Sequence, residues 1–150
     1  MAAKLLHPFF LIFLCILFLV NEVAISGERK YSLFEIHTIL NDMVRQFNTK
    51  MGGTKVDDMT TIRMMTYDEN GPTLGYFYSI SYFEDTGKHH ISPQHAKLTR
   101  DFNIEKTCSS PFRALMSDYG LKVVHIFSDS TTGRNLLEVR VSSKDCKSFR

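Results

Sequence analysis

Residues 60–83 read TTIRMMTYDENGPTLGYFYSISYF, and the fold follows from how that stretch is parsed. Residues 60–67 are rich in β-branched residues and methionine. Asp68-Glu69-Asn70-Gly71-Pro72 then supplies the residue types that make turns. The chain returns with Leu74, Tyr76, Tyr78, Ile80 and Tyr82 alternating with Gly75, Phe77, Ser79, Ser81 and Phe83. Two such runs about a turn predict an antiparallel hairpin. The tyrosines share one side of it, and because a buried phenol needs a polar partner that side is expected to be half exposed. Its first use is cross-strand packing. Tyrosine is also enriched in interfaces, which makes Tyr76, Tyr78 and Tyr82 the candidate protein-binding surface. No cluster of Arg and Lys lies beside them, so stacking on single-stranded nucleic acid is not supported.

Upstream of the hairpin, Ser32 is followed three residues later by Glu35, a capping box that opens a helix. Leu33, Ile36, Leu40, Met43, Val44, Phe47 and Met51 recur at spacings of three and four, and Gly52-Gly53 closes the run. The stripe lacks a lysine-rich polar face, so it is expected to pack on this domain's own sheet rather than on a membrane or a partner helix. Downstream, residues 84–90 read as a polar loop. Ser92-Pro93 and Ser110-Pro111 are helix starts, the second helix being stopped by Gly120. Ala96, Leu98, Phe102 and Ile104 give the first of these helices a weaker apolar pattern, ending near Cys108. Residues 121–127 and 136–141 form a second pair of strands about a turn. Helices segregated from strands imply an α+β domain: an N-terminal amphipathic helix and one or two middle helices on one face of an approximately four-stranded antiparallel sheet.

The N-terminus reads differently. Residues 9–20 are twelve uninterrupted apolar residues behind Lys4, followed by Ala24-Ile25-Ser26 before Gly27. A basic start, a short apolar core and small residues at the first and third places of an A-x-S tripeptide make a secretory signal peptide of residues 1–26. A membrane-spanning helix would need about 20 apolar residues. The expected products are a single exported domain of residues 27–150, periplasmic or secreted, and no stable membrane insertion after cleavage. That domain has 150 − 26 = 124 residues, enough for one core. Removing Lys4 and Glu22 with the signal leaves 17 basic and 15 acidic residues, a net of +2, with no basic footprint for nucleic acid. Cys15 leaves with the signal, so Cys108 and Cys146 remain, and an even pair in an exported chain reads as a disulfide.

Candidate chemistry is sparse. His89, His90 and His95 are the only histidine cluster, and zinc would need three or four converging ligands. Adjacent histidines point apart, and no H-E-x-x-H or C-x-x-C accompanies them, so a solvated loop is the expectation, with no metal or other cofactor. His125 shares a strand side with Val123 and Phe127 and reads as a hydrogen-bonded core or edge histidine, whereas His37 is placed toward solvent. Ser128, His125 and Asp129 are too close in one strand to face each other as a triad. There is no G-x-S-x-G elbow. Asp57-Asp58 are ordinary loop charges. No catalytic residue is assigned.

Leu74-Gly75-Tyr76-Phe77-Tyr78, Cys108 with Pro111, Leu115 before Gly120, Asp129 and Gly133 in a turn, and residues 139–141 before Asp145-Cys146 form one further pattern. It resembles small exported bacterial proteins of uncharacterised function, over roughly residues 55–146. The resemblance implies a periplasmic α+β domain with a disulfide and transfers no catalytic residue. His125 departs from it by standing where an aromatic residue is expected. The functional expectation is a non-enzymatic protein of the bacterial envelope acting through a protein partner, such as an accessory of a secretion or surface apparatus. The alternatives are a secreted inhibitor of a hydrolase and a small metal-assisted hydrolase using His89, His90 and His95.

Overall fold

The computed structural model describes residues 31–81 and 90–148; the signal-peptide reading of residues 1–26, Tyr82 and His89 lie outside them. The chain divides at Tyr31, and the unit from Ser32 onward holds every element below. Its first helix, α1 (Leu33–Met51), starts on the expected capping box. The Ser32 hydroxyl accepts the Glu35 N–H at 3.2 Å while the Glu35 carboxylate accepts the Ser32 N–H at 2.8 Å. Ile36, Leu40 and Phe47 form its buried stripe, with Met43, Val44 and Met51 partly covered and Leu33 turned out to solvent.

The hairpin follows as β1 (Thr60–Asp68) and β2 (Thr73–Ile80), antiparallel, with a register shift between Ile62 and Met64. Next come α2 (Pro93–Cys108), capped by the Ser92 hydroxyl, and α3 (Phe112–Tyr119), closed by Gly120 at φ 67°. That left-handed angle is one glycine adopts without the steric cost other residues meet. The chain ends with β3 (Lys122–Asp129), β4 (Asn135–Val141) and a 3-10 turn, Asp145–Ser148. Among the described residues, three α-helices and four strands make the α+β domain that was expected.

The sheet is not purely antiparallel. Its order is β1-β2-β3-β4; both hairpins are antiparallel, but β2 and β3 run parallel, so the sheet is mixed. The physical reason lies in the connection. Residues 81–121 carry two helices, and a crossover of that length can return a strand beside β2 in the same direction, which a tight turn cannot. Period-two alternation reports which side a residue faces and is blind to strand direction.

The register sets rows of side chains across the sheet. Met65, Tyr76, His125 and Val139 form one row, flanked by Ile62, Tyr78, Phe127 and Leu137 on one side and Tyr67, Leu74, Val123 and Val141 on the other. All three rows lie on one face, and both α1 and α2 reach it: Phe47 meets Tyr76 edge-on at 5.9 Å, and Thr107 meets His125. Met65, Leu74, Val123, Val139 and Val141 are fully buried there. On the other face Gly75 lies beneath the Phe77 ring, where an added Cβ would stand 2.8 Å from the Thr66 hydroxyl and 3.2 Å from that ring. The last residue of α2, Cys108, is disulfide-bonded to Cys146 in the 3-10 turn, as expected.

Candidate protein-recognition site

Alternation along β2 and β3 sends Tyr76, Tyr78, His125 and Phe127 to the helix-covered face, and parallel pairing sets each tyrosine beside a ring of β3. Tyr76 stacks on His125 at 5.1 Å between ring centroids, and Tyr78 stacks on Phe127 at 4.6 Å. His125 is buried, and its ring is held at both nitrogens. Nδ1 lies 3.3 Å from the Tyr78 hydroxyl and Nε2 lies 3.2 Å from the Thr107 hydroxyl of α2. A neutral imidazole donates through one nitrogen and accepts through the other, and both hydroxyls can take either part. Burial therefore lowers His125 to about 4 and pushes both phenols well above their usual range, Tyr76 additionally through Tyr78. These groups are neutral throughout the ordinary pH range.

Tyr76 and Tyr78, the two described members of the predicted surface, are thus partly buried against the helices. Tyr82 and His89 lie outside the described residues. His90 is exposed, and His95 sits in the first turn of α2 with Nδ1 3.1 Å from the Ser92 hydroxyl. Among the described residues no group of three or more His, Cys, Asp or Glu converges as a metal site would require. His37 is not simply turned to solvent. It is half-buried, with Nδ1 2.6 Å from the Tyr67 hydroxyl.

Helix α2 departs furthest from its sequence pattern. Its buried positions are Asn103, Thr107 and Cys108, while Leu98 and Phe102 are 58% and 57% exposed. Asn103 satisfies its amide on the Thr99 carbonyl at 2.7 Å, and Thr107 meets His125, so the inward side of the helix is polar. A signal for this existed in the sequence. Cys108 stands six residues after Phe102, about 120° round a 3.6-residue helix, so burying the half-cystine turns Phe102 off the core-facing side. The result is an apolar i, i+4 pair on the surface, with Lys106 Nζ 5.5 Å from the centre of the Phe102 ring. No described helix is long and apolar enough to cross a membrane.

No protein-family model matches the chain, and no curated protein matches it in sequence. Two solved structures share the fold. One is a protein from Pseudomonas aeruginosa assigned as secreted, with a TM-score of 0.60 at 16% identity, covering 78% of this chain and 99% of that one. The other is EpsS, the pilotin of the Vibrio vulnificus type 2 secretion system, with a TM-score of 0.55 at 13% identity, covering 75% of this chain and 92% of that one. At such identities the likeness is one of fold.

Proposed function

We propose that this chain is a non-enzymatic, exported accessory of a bacterial secretion or surface apparatus, working through contacts with a protein partner. The observation that carries the reading is the extent of the fold likeness: it takes in nearly the whole of a protein assigned as secreted and of a secretion-system pilotin. Two further features support it. The partly buried tyrosines around the buried His125 form a neutral, internally satisfied array, which suits a scaffold better than a catalyst. The outward Leu98–Phe102 pair offers apolar contact area on a helix anchored by a disulfide.

The test is affinity capture from intact envelopes, comparing the wild type with Leu98→Ser/Phe102→Ser. Both positions are exposed, so the double variant should keep the wild-type melting temperature to within a few degrees. Specific recovery of secretion-apparatus or surface-apparatus components by the wild type, reduced in the variant, is the expected result. A folded wild type that recovers none of them would end this reading.

A further inference from the structure

The two edges of the sheet are treated differently. On the outer side of β1, the Asn48 side chain donates to the Met65 carbonyl at 2.8 Å and accepts the Met65 N–H at 2.7 Å. The segment after α1 seals the rest: Gly53 N–H reaches the Ile62 carbonyl at 2.8 Å, and Ile62 N–H reaches the Thr54 carbonyl at 2.9 Å. Val56 N–H bonds the Thr60 carbonyl at 2.8 Å. Beyond its pairing with β3, strand β4 has no such cover among the described residues. A bare edge offers a row of unpaired N–H and C=O groups to another strand, and natural sheets usually blunt it with Pro, Lys or a bulge. β4 contains neither Pro nor Lys; a register shift at Leu136 interrupts its pairing with β3, which is regular from Leu137 to Val141, and its charged residues are Glu138 and Arg140.

From these features we infer that β4 is a self-association edge, pairing antiparallel with β4 of a second copy about a two-fold axis at Val139. The occupant is specified by charge. Leu137, Val139 and Val141 share the helix-covered face, while Glu138 and Arg140 share the other, with side chains 36% and 77% exposed. Pairing about Val139 sets Glu138 opposite Arg140 of the second copy and Arg140 opposite its Glu138. Leu137 then stands opposite Val141 on the apolar side. Moving the axis to Glu138 or to Arg140 sets like charges directly opposite, which disfavours both registers. A one-residue slip would turn the apolar set to the wrong face. A single antiparallel register therefore satisfies both charges and both faces, and it is isologous as a closed dimer requires. Within one copy Arg140 already pairs with Glu138, so dimerisation exchanges each ion for its equivalent and strands no charge.

The test is sedimentation equilibrium of the protein purified from the exported fraction. A contact confined to one short strand edge is small, so a monomer–dimer equilibrium with Kd on the order of 10–500 µM is expected. Glu138→Lys faces Arg140 of the second copy with a like charge, and Arg140→Glu faces Glu138 likewise. Each variant alone should weaken the dimer roughly tenfold or more. Mixed together, the two variants should restore it as a heterodimer, because every cross-strand pair is then of opposite sign. Unchanged melting temperatures separate this from misfolding. Slower hydrogen exchange at β4 amides with rising protein concentration places the contact. A wild type that stays monomeric at about 1 mM, a β4 edge that pairs only with another protein's strand, or variants that fail to complement would each overturn the proposal.

Discussion

His125 illustrates how one buried side chain sets a pH dependence. Its ordinary value is 6.5, and burial brings it to about 4 in the folded protein. Between those limits the unfolded chain binds the extra proton and the folded one does not, so acid favours unfolding. The contribution is fully present above pH 6.5 and is lost as pH falls through about 4, amounting to roughly 3 kcal/mol. A His125→Phe variant keeps a ring to stack on Tyr76 and has nothing to protonate. Its unfolding free energy, followed by urea titration from pH 7 to pH 4, should fall by about 3 kcal/mol less than that of the wild type. Equal pH profiles would contradict the assignment. Asn48 makes a second residue-scale case. Asn48→Ala strips both hydrogen bonds from Met65 at the edge of β1 and should cost about 1–3 kcal/mol, read from the urea midpoint at unchanged m-value. The side on which His125 lies was legible from its alternation with Val123 and Phe127. Its partners were not, because Tyr78 and Thr107 come from elements 47 and 18 residues away in the chain.

At the scale of elements, the capped starts of α1 and α2 and the glycine stop of α3 were all legible, because capping chemistry is local. Gly120→Ala should cost about 1 kcal/mol through backbone strain alone, since nothing lies within 4 Å of an added Cβ there. A denaturation midpoint equal to the wild type's would contradict that. Orientation was less legible for α2, whose exposed leucine and phenylalanine would ordinarily mark a core face. Here the tie between Cys108 and Cys146 and the polar contact of Thr107 decide which side turns in. The disulfide spans 38 residues, and in the chain-entropy view closing that loop is worth about 4 kcal/mol. Cys108→Ser and Cys146→Ser should therefore destabilise by similar amounts approaching that value, and thiol labelling of the native protein should find no free group. A large loss for Cys108→Ser alone would instead point to a thiol with its own role.

For the whole molecule, the proposed export and the Cys108–Cys146 bond belong together, since an oxidising compartment is where a disulfide persists. N-terminal sequencing of the exported protein is expected to begin at Gly27, after Ala24-Ile25-Ser26. A start at Met1 in a membrane fraction would make the apolar run an anchor. Taken by itself, the sequence determined the order of the elements, the period-two faces of the strands, the caps of α1 and α2 and, on the signal-peptide reading, the pairing of Cys108 with Cys146. Each of these rests on neighbours within a few residues, or on a count that leaves one solution. The tertiary structure alone decided that β2 and β3 run parallel, that α2 presents Leu98 and Phe102 outward, and that among the described residues β1 is sealed while β4 is bare. Strand direction, helix rotation and edge protection depend on contacts between segments far apart in the chain, and a local pattern of apolar and polar residues is the same whichever way those contacts fall.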